Sequence, residues 1–229
     1  MNAIIHIPSV IRGEQRPDFI QAEVLSDILD TTAAQYPTHI ALIDQDRQIS
    51  YAELAAQADQ IAQQLIARGI RAGDIVGLWL PRGADLLIAQ AGICKAGAAW
   101  LPFDMDVPVE RIQVCLDDAQ AKGIVTSTDW ASQLTQLAQT VWPVAELNQP
   151  TNFPPVMQRA ARSDPAYIIY TSGSTGKPKG IVIEQSNICH FLRSENSVLG
   201  VRHDDKVYQG FSVAFDMSFE EVWISYLVG

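Results

Sequence analysis

Charge is scarce in this chain. Asp, Glu, Lys and Arg account for 18% of its 229 residues, with 16 basic residues against 26 acidic ones and a formal net charge of −10. A nucleic-acid surface needs clustered Lys and Arg to neutralise phosphates, so that class of partner is excluded and any anion site must be local. Cysteine is scarce as well. Cys94, Cys115 and Cys189 are odd in number and form no CxxC pair, which excludes a disulfide framework and a zinc site and leaves three reduced core thiols. The N-terminal stretch MNAIIHIPSV has no basic region followed by a sustained apolar run, and no apolar run reaches membrane-spanning length. A soluble, cytoplasmic protein with no membrane partner is therefore expected. Internal repeats and low-complexity tracts are also missing.

What is present is a regular alternation of elements. In YAELAAQADQIAQQLIAR (51–68), Leu54, Ala58, Ile61 and Leu65 form a helical stripe. Ser50 and Glu53 form a capping box at its start, and Gly69 suits the C-terminal cap. DIVGLWL (74–80) reads as a strand, ADLLIAQAGICKAG (84–97) as a buried helix and AAWLPFD (98–104) as another strand. PVERIQVCLDDA follows as a helix with Pro108 at its first position, then GIVTS (123–127) as a strand. The alternation predicts an α/β fold with largely parallel sheets flanked by helices and loops at the strand ends free for ligands. Residues 148–165, NQPTNFPPVMQRAARSDP, carry four prolines and little periodicity. They read as a surface connection between a first α/β subdomain (1–147) and the start of a second (166–229). Beyond it, AYIIYTS and GIVIE are expected strands, SNICHFLRSENSV a helix and DKVYQGFS a third strand. His190, Tyr208 and Trp223 are expected to be packed.

YIIYTSGSTGKPKG (167–180) joins the two strands. Gly173, Gly176 and Gly180 permit positive φ and close backbone approach, while Thr171, Ser172, Ser174 and Thr175 offer hydroxyls and N–H donors to one convex anion. Lys177 and Lys179 add positive charge. A nucleotide triphosphate matches this inventory, but a Walker A loop requires G-x-x-x-x-G-K-[ST] opening a helix. Thr171 stands in place of the first glycine, and Pro178 in place of the magnesium-binding hydroxyl.

YTSGSTGKPKG resembles the phosphate-binding loop of the adenylate-forming (AMP-binding) superfamily. ISYAEL (49–54), CKAGAAWLPFD (94–104) and FDMS (215–218), in that order, resemble the branch of amino-acid adenylation domains of nonribosomal peptide synthetases. Gln185 departs from the pattern, since many relatives carry histidine there. The resemblance implies the N-terminal portion of the large domain of an adenylate-forming enzyme. It also implies an ATP-dependent ligase in which a carboxylate attacks the α-phosphorus of ATP, giving an acyl adenylate and pyrophosphate, with Mg2+ offsetting phosphate charge. The phosphopantetheine thiol of a carrier domain or protein is the implied acceptor. Thr171, Ser172, Gly173, Ser174, Thr175, Gly176, Lys177 and Lys179 are the implied phosphate contacts.

The resemblance also assigns Asp216 to the α-ammonium of an amino acid substrate, and Met217 and Glu220 to its side-chain pocket. Asp216 is read as following the strand YQGFSVAF and preceding a helix capped by Ser218 and Glu221. A buried Glu220 would favour lysine or ornithine. Alternatively, Glu220 complements the helix dipole. Acyl- or aryl-acid coenzyme A ligases share the loop but need no ammonium site. The chain stops at SYLVG without the family's later motifs, so it reads as a fragment cut on its C-terminal side. By itself it is expected to be inactive, or noncatalytic and dependent on a separately encoded remainder.

Overall fold

The structure is a computed structural model and describes residues 14–150, 158–172 and 178–229. Helix α1 (Leu25–Gln35) leads into a hairpin of β1 (Ile40–Asp44) and β2 (Arg47–Ser50), then α2 (Tyr51–Ala67). Next come β3 (Ile75–Trp79), α3 (Ala84–Lys95), β4 (Ala99–Pro102), α4 (Val109–Asp118), β5 (Gly123–Thr126), α5 (Thr128–Ala131), β6 (Thr140–Pro143) and α6 (Val144–Leu147). The chain continues through β7 (Pro165–Ser172), β8 (Pro178–Glu184), α7 (Gln185–Leu199) and α8 (Met217–Val228).

Six strands form one sheet in the order β6-β5-β3-β4-β7-β8. All neighbours are parallel except β8, which runs antiparallel to β7. The expected α/β architecture is thus observed. Because β4 pairs with β7 through Trp100 and Tyr167, the connection at 148–165 joins two halves of a single sheet.

Helix α2 forms where sequence periodicity meets a good cap. Ser50 accepts the Glu53 N–H, and the Glu53 carboxylate accepts the Ser50 N–H at 2.8 Å, closing the capping box of α2. Leu54, Ala58, Ile61 and Leu65 are fully buried, and Gly69 takes φ +97° after the helix, a conformation that costs glycine nothing. Helix α3 is buried on nearly every side, with α2 packed against it. Gly92 permits that approach, because a Cβ there would lie 2.5 Å from Ile61 Cγ2. All three cysteines are free and buried, and burial pushes the Cys94 thiol upward, away from reactivity.

Four expectations are corrected. Residues 205–212 form no strand. They have no ladder partner among the described residues, and Val207, Tyr208 and Phe211 stand 41%, 84% and 49% exposed. β-propensity without a neighbouring strand leaves backbone groups unpaired, and at Gly210 and Phe211 they bond to side chains instead. Pro108 is the N-cap of α4 rather than its first residue. His190 is exposed on α7, one residue off the stripe of Ile188, Cys189 and Leu192 that the helix buries. Tyr208 is exposed, whereas Trp223 is fully buried.

Candidate functional site

Hairpin β7–β8 is the scaffold of the site. Its register sets Tyr167 opposite Ile183, Ile169 opposite Ile181 and Thr171 opposite Lys179. Side chains alternate across a strand, so these pairs share one sheet face while Ile168 and Tyr170 take the other. Burial follows the same division. Tyr167 and Ile169 belong to one hydrophobic cluster, with Ile183 against it, and Ile168 and Tyr170 belong to or pack on another. Thr171 and Ser172, at the end of β7, and Lys179 in β8 are exposed. Gly173, Ser174, Thr175, Gly176 and Lys177, the other expected phosphate contacts, lie outside the described residues.

Further down the same face is a cavity of about 340 Å³ lined by Tyr167, Ile183, Asn187, Ile188, Phe191, Asp216, Met217 and Glu220. The three residues singled out as substrate-binding therefore meet in one place. Four residues at about 3.3 Å each separate Tyr167 from Thr171, so the cavity wall and the loop stem stand roughly 13 Å apart along the strand.

An aromatic cluster fixes the cavity's back wall. Trp100 is fully buried and meets Tyr167, Phe219 and Trp223 with ring centroids at 5.4, 5.3 and 6.0 Å, and Tyr167 meets Phe219 at 4.3 Å. The tryptophan of CKAGAAWLPFD thereby seats α8 against β4 and β7, bringing Asp216 and Glu220 to the cavity. The far end of α8 is tied down by Tyr51, which donates to the Ser225 carbonyl at 2.9 Å, and by Thr32, which donates to the Tyr226 carbonyl at 2.6 Å. The tyrosine of ISYAEL thus anchors the helix that carries the pocket acids.

The entry to α8 differs from the expected capping box. Asp216 is the N-cap and accepts the Met217 N–H at 3.1 Å. Ser218 lies inside the first turn and donates to the Phe215 carbonyl at 2.7 Å. Glu221 instead turns back to accept the Gly210 and Phe211 N–H groups at 3.0 and 3.2 Å. With the helix starting at Met217, Ser218 is two residues too late to cap it. Ser212 donates to Asp104, which follows β4, so the non-helical run before Asp216 is also tied to the sheet.

The cavity is acidic at its α8 wall. Asp216 and Met217 are exposed and Glu220 is partly buried. Burial, then the carboxylates of Glu195, Glu221 and Asp216, raise Glu220 above the usual glutamate range. Burial, then the nearby Asp216 charge, pushes the Tyr167 phenol up. Among the described residues no Lys or Arg stands within 4 Å of Glu220 or Asp216. Gln185, the departure from the resemblance, is fully buried and structural: its side-chain oxygen accepts the Leu25 N–H at 3.1 Å, joining α7 to α1.

Residues 29–229 match the AMP-binding enzyme family. The chain belongs to that family. It is 58% identical over 226 residues to the delta-poly-L-ornithine synthetase of Acinetobacter baumannii (strain AB307-0294), a match covering 99% of this chain and 17% of that protein. Among solved structures, the nonribosomal peptide synthetase FmoA3 with α-methyl-L-serine-AMP bound superposes with a TM-score of 0.84 at 28% identity, over 92% of this chain and 23% of that one. The N-terminal subdomain of Klebsiella oxytoca NpsA, in complex with 3-hydroxybenzoyl-AMSN, gives 0.80 at 30% identity, over 94% of this chain and 54% of that one. This chain therefore spans less than a fifth of the synthetase's length and about half of the NpsA subdomain structure.

Sequence reasoning did not single out Tyr167, Ile183, Asn187, Ile188 or Phe191 as cavity residues. A signal existed for some of them. Tyr167 shares the period-two face of Thr171, and Asn187 and Phe191 are four apart on one helix.

Proposed function

We propose that this chain forms the phosphate-loop and amino-acid-pocket portion of an enzyme that activates a diamino acid as its adenylate. The observation that carries the reading is the shared face of hairpin β7–β8, with Thr171 and Lys179 at one end and the Asp216–Glu220 cavity at the other. An amino acid seated in the cavity can present its carboxylate toward the phosphate end of the same face. A carboxylate oxygen then attacks the α-phosphorus of ATP, the bond to the bridging oxygen breaks, and pyrophosphate leaves with the electron pair.

In this scheme Lys179, with the hydroxyls of Thr171 and Ser172, offsets negative charge on the departing pyrophosphate. These exposed donors fit a phosphate group. Magnesium would supply further charge neutralisation; the ion usually binds through one or two carboxylates together with substrate phosphates, so it would arrive with the nucleotide. Asp216 holds the α-ammonium and orients the substrate. Glu220 meets the side-chain ammonium, and the apolar walls of Tyr167, Ile183 and Phe191 enclose the methylenes between. The similarity to a protein named for poly-ornithine synthesis supports ornithine as the substrate. The phosphopantetheine thiol of a carrier domain is the acceptor this reading implies.

The NpsA likeness, a structure with a 3-hydroxybenzoyl compound bound, favours an aryl-acid ligase as the second reading. Asp216 separates the two, since an aryl acid has no α-ammonium. ATP–pyrophosphate exchange by the full-length protein, run against a panel of amino acids and aryl acids, is the test. Exchange should depend on an amino acid and be fastest with L-ornithine. Exchange driven by aryl acids alone would remove the proposal.

A further inference from the structure

A further acidic residue, Glu195, lies close enough to the cavity for its charge to act on Glu220. Helix α7 lines the cavity with Asn187 and Phe191, and Glu195 follows four residues later. Positions i, i+4 and i+8 share one face of a helix, so Glu195 continues the stripe about 6 Å beyond Phe191 along the axis. Helix α8, which carries Glu220, packs against α7. Among the described residues neither Glu195 nor Glu220 has a side-chain hydrogen bond or a cation within 4 Å. The neighbouring charges are engaged elsewhere. Glu221 is bonded to the Gly210 and Phe211 N–H groups, and Arg193 of α7 points away to Glu23, 2.5 Å distant. Two neighbouring carboxylates without a cation repel each other, and an ammonium between them would remove the repulsion. A primary ammonium has three donors, enough for both.

We propose that Glu195 is a specificity residue of this cavity, pairing with Glu220 to hold the side-chain ammonium of the substrate. The proposal rests on the amino-acid-activating reading above. It makes selection for a terminal amine a property of two helices, so that either carboxylate alone gives weaker discrimination.

The test uses the full-length protein and compares kcat/KM in pyrophosphate exchange for L-ornithine and L-norvaline, which has the same carbon chain without the amine. Glu195→Gln should lower the ornithine-to-norvaline ratio about tenfold, the loss expected for one charge-assisted hydrogen bond. Glu195→Asp, which keeps the charge, should retain most of the ratio, and the thermal midpoint of each variant checks folding. The double variant Glu195→Gln/Glu220→Gln should lose less than the product of the single losses, because both residues serve one ammonium. A Glu195→Gln ratio equal to that of the unaltered protein would overturn this proposal and leave the amino-acid reading standing. An unaltered protein with no preference for ornithine over norvaline would overturn both.

Discussion

The Glu221 carboxylate accepts the Gly210 N–H at 3.0 Å, and through this bond α8 fixes the irregular run that leads into its own N-cap, Asp216. The same carboxylate takes the Phe211 N–H, and Arg82 donates to the Gly210 carbonyl at 3.0 Å. A segment that lacks a neighbouring strand is thereby held by side chains.

Glu221→Ala should release that run. Two hydrogen bonds to a charged acceptor are lost in a partly exposed setting, so a stability cost of about 1–2 kcal/mol is expected. The KM for the amino acid should rise more than the KM for ATP, because the loosened segment carries Asp216. Steady-state kinetics with each substrate varied in turn would show the split.

Much of this arrangement was legible in the sequence, and the rest was hidden for identifiable reasons. Periodicity and capping gave α2 because Leu54, Ala58, Ile61 and Leu65 obey a local rule that tertiary context did not override, whereas α3 was legible as a continuous apolar run. The hairpin β1–β2 was not read, because its turn at Asp44–Arg47 depends on Gln45 taking φ +53°, which its side chain does not advertise. The run 205–212 looked like a strand, since Val207, Tyr208 and Phe211 have β-propensity, but propensity cannot supply a ladder partner. Asp216, Met217 and Glu220 were found by resemblance. Phe191 and Asn187 were not, because cavity lining depends on how α7 meets α8, a relation between segments that spacing within one helix does not reveal.

Lys95 tests the buried frame behind the site. Its side chain is 3% exposed and meets Asp30 at 2.5 Å and Asp59 at 2.6 Å. Burial pulls its pKa down, but hydrogen bonds to both aspartates outweigh burial and the net shift is upward. A raised lysine pKa stabilises the fold fully below the unfolded value of about 10.4, and that contribution fades as pH rises through the folded value. Lys95→Met should therefore cost about 2–3 kcal/mol at neutral pH, at or below the lower end for a broken buried pair because both aspartates are partly exposed. The difference should shrink in strongly alkaline solution. Urea melts at several pH values would measure it.

Gly92→Ala tests the approach of α3 to α2. The added methyl would meet Ile61 at 2.5 Å, and overpacking of this kind costs about 1–3 kcal/mol. The urea midpoint should fall with the m-value unchanged.

Glu220 gives the site a pH signature. Its pKa is raised by burial and by Glu195, Glu221 and Asp216, so on acidification it takes up a proton above the ordinary glutamate value of about 4.3. In the role proposed for Glu220, protonation would remove the partner of the substrate's side-chain ammonium. The preference for ornithine over norvaline should thus decline as pH falls toward that raised value, and Glu220→Gln should flatten the profile.

The most direct measurement of the central claim, that the cavity between α7 and α8 receives an amino acid through Asp216, is ornithine-dependent pyrophosphate exchange by the full-length protein before and after Asp216→Ala. Loss of a charge-assisted contact that also orients the substrate should reduce kcat/KM for ornithine on the order of a hundredfold or more, with ATP binding retained. Ornithine-dependent exchange at an undiminished rate in the variant would contradict the account.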